Sequence, residues 1–164
     1  MKLLEIFGMI ECKSLLTSME MNFKKLCGEV AGPNLANPSK YRHLIGALMF
    51  LMNKRPDIWY TVNTLSQFMN EPLHAHWITA RQILRYSHGT ITLGLRHFVG
   101  DVWFHGYTNG NRVGNVVDRK RTSGFCFSLG SSMISWMSRK QKSITLISTE
   151  VEYISTNMSN CEVF

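Results

Sequence analysis

Acidic residues are scarce in this chain, and aspartate most of all. In 164 residues there are 11 Asp+Glu against 18 Lys+Arg, and the only aspartates are Asp57, Asp101 and Asp118. No two of them are adjacent, which removes the paired carboxylates that hold two divalent metals in a polymerase. The 4 cysteines, at 12, 27, 126 and 161, never take CxxC spacing, so no zinc or redox motif is suggested. Scattered in this way they read as free thiols in a reducing compartment. The longest apolar run, Leu44 to Met52, has 9 residues, one of them Gly46, against the roughly 20 a membrane span needs. The opening Met1-Lys2-Leu3-Leu4-Glu5-Ile6-Phe7 is too short an apolar run for a secretory leader. The expectation is a cytoplasmic or nuclear chain with no membrane partner.

What is present is globular. Hydrophobic residues make up 45% and aromatics 11%, enough to build a core. The net charge of +7 favours a polyanion, nucleic acid before membrane, against the plain alternative of a lysine-rich solvated surface.

The first 90 residues read as helical. A short helix is expected over 1–10, with Leu3, Leu4, Phe7 and Met9 on one side, and residues 11–37 read as connection. Asn37-Pro38 then opens a helix to about Asn53, because Asn caps and Pro suits the first turn. Pro56 starts a second, whose Ile58, Val62, Leu65 and Met69 share one face. A third is expected over 74–88, with Trp77, Ala80 and Leu84 inward, Arg81 and Arg85 flanking, and Gly89 just past its end.

From 91 onward the pattern changes. Segments 91–99, 102–109, 122–129 and 132–137 read as strands, the last two joined through Gly130-Ser131. A basic loop, Arg139-Lys140-Gln141-Lys142, leads to a final helix from about Ser148. Trp103, Phe125, Phe127 and Trp136 alternate with polar neighbours and are expected in the core. His74-x-His76 lacks further ligands nearby and reads as a helix-start feature, not a zinc site.

Several of these stretches resemble, in order and at matching spacing, the copia-type retrotransposon polyprotein. Tyr41-Arg42-His43-Leu44-Ile45-Gly46-Ala47-Leu48 is similar to its YRxLIGSLxYL, and Arg55-Pro56-Asp57-Ile58 to its RPDI. His76-Trp77, Arg81 to Tyr86 and Gly89-Thr90 resemble HWxAAKRILRYLKGT. Asp118 to Phe125 resembles DRKSTSGY, Ile134-Ser135-Trp136 with Ser138 to Gln141 resembles ISWxSKKQ, and Ser148 to Ile154 resembles SSAEAEYIA.

The resemblance implies an α+β chain. Residues 1–90 correspond to the helical tail, or connection, of a reverse transcriptase. Residues 91–164 correspond to the first part of a ribonuclease H-like fold, three antiparallel strands and a helix. It implies an ancestral role in copying element RNA and degrading the RNA strand of RNA–DNA hybrids, with Mg²⁺ as cofactor in intact members. Here the pattern fails where the chemistry lies. Asn109 stands where the first metal-binding Asp of GYSDADWAGD belongs, Asn111 and Asn115 also replace acids, and Arg112 replaces Trp. Each Asp-to-Asn change needs one G-to-A step. By spacing alone Thr149-x-x-Glu152 favours a capping box; the resemblance reverses this and matches Glu152 to the second carboxylate. Glu150 reads as solvated.

The remaining metal-binding aspartates of the family fall beyond the final helix. The expectation is therefore a remnant that is not an enzyme, with Glu152 a vestigial metal ligand and no cofactor. Arg119, Lys120, Arg121, Arg139, Lys140 and Lys142 are the candidate phosphate contacts for a hybrid duplex or other nucleic acid. The alternative reading is a non-catalytic module that binds nucleic acid or docks on an intact element polymerase. Without the palm sheet, the face of Ile58, Val62, Leu65 and Met69 is expected to be exposed.

Overall fold

The computed structural model describes residues 2–19, 26, 32–95, 103–110, 121–141 and 147–163. The chain divides into two units, Met1–Gly94 and Leu95–Phe164. Together they make an α+β protein with one three-stranded antiparallel sheet among the described residues.

The first unit holds α1 (Lys2–Ile6), α2 (Pro38–Met52), a 3-10 turn (Pro56–Ile58), α3 (Trp59–Ser66) and α4 (His74–Gly89). Helix α1 is shorter than expected because Gly8, at φ +64°, stops it. The Gly8 N–H bonds to the Glu5 carbonyl at 3.0 Å and the Met9 N–H to the Leu4 carbonyl at 2.7 Å. This is a Schellman stop, and its apolar pair, Leu4 and Met9, is buried in the core. Helix α2 begins as its sequence predicts: the Asn37 side chain accepts from the Lys40 N–H at 3.0 Å and Pro38 takes the first turn. Tyr41, Leu44, Ile45, Leu48 and Met52 form its buried stripe. The Tyr41 hydroxyl, sealed inside, donates to the Leu65 carbonyl at 2.8 Å, and burial pushes its pKa well above the ordinary phenol value.

The expected exposed face of the second helix is corrected here. Ile58, Val62 and Leu65 are each 0% exposed, packed with α2 and with Ala80, Ile83 and Leu84 of α4. The helices and the segment after α1 close a core of their own, so no external sheet is needed to cover them. Met69 lies past the end of α3 and packs on this core half-buried. Gly89 is a second correction. It is the last residue of α4, and its role is steric: a Cβ there would sit 2.8 Å from Cβ of Ser14. The segment carrying Ser14 is tied to α4, since Arg85 Nε donates to the Lys13 carbonyl at 2.7 Å and the Leu15 N–H to the Arg85 carbonyl at 3.3 Å. Trp77 is only half-buried. Residues 91–95 are turn and coil, so the expected strand over 91–99 does not form there, and 96–99 lie outside the described residues.

The second unit holds β1 (Phe104–Gly110), β2 (Thr122–Leu129), β3 (Ser132–Lys140) and α5 (Ser148–Val163), in strand order β1-β2-β3. The β2–β3 hairpin turns through Gly130-Ser131, with Leu129 opposite Ser132 and Gly130 at φ +58°, the positive φ that primed two-residue turns require. Ser123, Phe125 and Phe127 point to the buried face of β2, and α5 packs there with Val151 and Ser155 inward. Phe125 and Phe127 are core as expected, their rings 5.2 Å apart. The tryptophans are not: Trp103 is 69% exposed and Trp136 half-buried. Among the described residues no helix is long and apolar enough to cross a membrane.

Candidate functional site

The strand register gathers most of the described candidate residues at one end of the sheet. Gly110 of β1 faces Ser123 of β2, which faces Arg139 of β3. The next rung runs Asn109, Gly124, Ser138, and Thr122 pairs with Lys140 beyond. Helix α5 closes on this end. A Cβ on Gly110 would lie 2.5 Å from Cγ1 of Val151, so only glycine lets the helix approach β1 so closely. The chain neighbours of that contact are Asn109 and Glu152, both exposed. Their backbone positions therefore lie at one corner of the unit. By the alternation of the strand, Asn109 falls in the row with Tyr107, and Gly110 in the row that meets the helix.

A buried hydrogen-bond chain holds this corner. Gln141 Nε2 lies 2.7 Å from Ser123 Oγ, Ser123 Oγ lies 2.8 Å from Ser155 Oγ, and Ser155 Oγ lies 2.8 Å from the Val151 carbonyl. All three side chains are buried. An amide NH₂ only donates and a carbonyl only accepts, and each hydroxyl has one proton. Gln141 therefore donates to Ser123, and the Ser155 hydroxyl is shared as donor between Ser123 Oγ and the Val151 carbonyl. The Gln141 N–H also bonds to the Arg121 carbonyl at 2.8 Å, continuing the hairpin ladder by one rung. Sequence reasoning missed this network. Its signal was the presence of Ser123, Gln141 and Ser155 in or beside the motif-like runs, where surface loops would not need them.

Arg139 and Lys140, expected in a loop, are the last two residues of β3. The strand continues because Ser123 and Thr122 remain opposite to pair with them. Arg139 is exposed, while Arg121 and Lys140 are half-buried. Arg119, Lys120, Lys142, Asn111, Arg112 and Asn115 lie outside the described residues. A hydrogen bond of the first turn of α5 runs from the Val151 N–H to the Ile147 carbonyl, at 3.4 Å. Thr149 is therefore inside the first turn, two positions too late to act as the cap that the capping-box reading of Thr149 and Glu152 requires. Among the described residues no group of three or more His, Cys, Asp or Glu side chains is arranged to hold a metal. Cys12, Cys126 and Cys161 are free thiols.

The first unit puts its motif-like residues to a structural use. Arg55 Nε and Nη2 donate to the two oxygens of Asp57 at 2.9 and 2.6 Å, a bidentate pair. Arg55 Nη2 also donates to Thr90 Oγ1 at 2.7 Å, and the Tyr86 hydroxyl donates to Asp57 at 2.8 Å. The Arg55 hydrogen bond holds the Asp57 carboxyl below its usual range, with the Tyr86 bond adding to it and burial opposing. The Asp57 bond in turn raises Tyr86 and Arg55. This knot ties the 3-10 turn to the end of α4. His76 is the other internal fastening. Its Nδ1 accepts the Leu73 N–H at 2.9 Å, so Nε2 must carry the proton that it gives to the Leu26 carbonyl at 2.7 Å. Burial lowers its pKa, against a smaller upward pull from Leu26, and Phe68 stacks on the ring at 3.9 Å. Both ring nitrogens of His76 are thus engaged within the fold, and His74 is exposed.

Over 157 residues, 95% of this chain, the sequence is 37% identical to the retrovirus-related Pol polyprotein from transposon RE1 of Arabidopsis thaliana. Over the same length it is 34% identical to an uncharacterised mitochondrial protein of that plant. It is also 38% identical, over 74% of its length, to secreted RxLR effector protein 161 of Plasmopara viticola. The chain spans 11% of the RE1 polyprotein, 64% of the mitochondrial protein and 87% of the effector. No family model and no solved structure matches it.

Proposed function

Because the chain belongs to the copia-type family of retrotransposon Pol polyproteins, we propose that it is a remnant of the stretch joining reverse transcriptase to ribonuclease H, catalytically silent but still able to bind nucleic acid. In this reading residues 1–90 derive from the polymerase tail and 91–164 from a ribonuclease H-like domain, and the chain works in the cytoplasm or nucleus. The observation that carries it is the corner of Asn109 and Glu152. Hydrolysis of a phosphodiester with two Mg²⁺ ions needs several anionic oxygens around one point. Mg²⁺ gives up its water reluctantly, and a neutral amide carbonyl supplies no charge to compensate. With Asn at 109, Glu152 is the one carboxylate left of the expected pair. These residues do not fit a two-metal centre, and no step is assigned to one.

The same corner keeps its cations. Arg139 and Lys140 end β3, Arg121 directly precedes β2, and the net charge of +7 supports attraction to phosphate. The test has two arms. Incubation with a labelled RNA–DNA hybrid and Mg²⁺ or Mn²⁺ is expected to release no RNA; turnover that Glu152→Ala abolishes would overturn the catalytic half. A gel shift of the same hybrid is expected at low salt and to fade as salt rises. No shift at any salt would overturn the binding half.

A further inference from the structure

A shallow groove of about 330 Å³ runs between β3 and α5. Its floor is the half-buried Met137, Ile154 and Met158, and its rim is the exposed Arg139, Tyr153 and Asn157. The volume falls in the range of roughly 300–1,000 Å³ typical of small-ligand sites. Each rim residue offers a different kind of contact. Tyr153 is 74% exposed and lines the groove with an aromatic ring. Asn157 carries both a donor and an acceptor on one planar group, the complement of a base edge. Arg139 forms no ion pair with any described residue and stands at the basic end of the hairpin. Beneath them the two methionines and the isoleucine make an apolar, polarisable floor for a flat ring.

We propose that this groove takes one unpaired base of a single-stranded nucleic acid, stacked on Tyr153 with its phosphate at Arg139. The proposal rests on the nucleic-acid affinity argued above and adds where the strand lies and in what form. A base inside a duplex has both faces stacked and its edge paired, so it cannot enter. One group opposes the fit. Glu150 lies one helical turn before Tyr153 and Ile154 on the same stripe of α5, exposed, and repels a phosphate held by Arg139.

The experiment uses the whole chain with two fluorescent probes, a single-stranded RNA of roughly 12 nucleotides and the same RNA paired to DNA. Tyr153→Ala is expected to weaken single-strand binding about tenfold and leave the hybrid unchanged, since stacking on one aromatic is worth about that factor. Arg139→Gln is expected to lower the salt dependence of single-strand binding by about one phosphate equivalent. Glu150→Gln is expected to tighten it. All three positions are exposed, and unchanged melting curves check that the fold survives. Equal loss on both probes from Tyr153→Ala, or no loss on either, overturns the groove while leaving nucleic-acid affinity standing. Absence of binding to both probes at low salt overturns the two readings together.

Discussion

The two units are held together by different means. Among its described residues, the helical unit buries fourteen apolar side chains in one continuous cluster, from Leu4 to Leu84. In the sheet unit the described apolar residues buried to the same degree are Phe125, Phe127 and Val151, and beside them sit Ser123, Gln141, Ser155 and Ser159. A core of large aliphatic groups gains stability in proportion to area and loses it gradually as atoms are removed. A small core laced with hydroxyls depends on every donor finding its acceptor, and one missing partner leaves a buried polar group unpaired. Among the described residues, aliphatic area thus carries more of the burial in the helical unit and hydroxyl pairing more of it in the sheet unit.

That difference can be tested by substitution, starting with the heaviest blow. Leu48→Ala, at a fully buried position of α2, is expected to cost about 2–5 kcal/mol, read as a lower urea midpoint for the helical transition. Gly110→Ala forces a methyl into Val151 and is expected to cost about 1–3 kcal/mol in the sheet unit, leaving the helical transition in place. Coincident shifts of both transitions would show the units to be one cooperative body. Asn37→Ala removes the α2 cap and is expected to cost about 1 kcal/mol, again in the helical transition.

Acid gives a graded effect instead of a step. The folded pKa of His76 lies below its ordinary 6.5, so the unfolded chain binds the proton first. The stability this group contributes is complete above pH 6.5 and is lost as pH falls toward its folded value. Asp57 is likewise depressed below 3.8 and adds a second loss at lower pH. Urea midpoints of the helical transition measured from pH 8 to pH 3 check both; His76→Gln should remove the upper phase.

Much of the local architecture was legible in the residues. Asn37-Pro38 announces a capped helix and Gly130-Ser131 a tight hairpin, because both signals are confined to a few adjacent residues. The Phe125/Phe127 alternation marks a buried strand face for the same reason. Three of the misreadings share a cause, since each depended on a partner far along the chain. Gly89 looks like a helix stop, but the residue that demands it is Ser14, 75 positions earlier. Arg139 and Lys140 look like a loop until Thr122 and Ser123 are seen to pair with them. The apolar run at 91–95 has strand-forming residues and, among the described residues, no strand beside it to pair with. At the candidate corner, the loss of charge at Asn109 was readable, whereas the hydroxyl relay beneath it was not, because serine and glutamine give no periodic signal.

The crowding of α5 against β1 has an evolutionary reading. Glycine is the one amino acid without a β-carbon, so at residue 110 no replacement is mild and every missense change disturbs the junction. A lineage of copies freed from all constraint would scatter at this codon as freely as at its neighbours. One in which the folded shape still matters to the host should hold glycine there while the amide at 109 wanders, and counting the two across genomic copies would tell a maintained protein from an abandoned one.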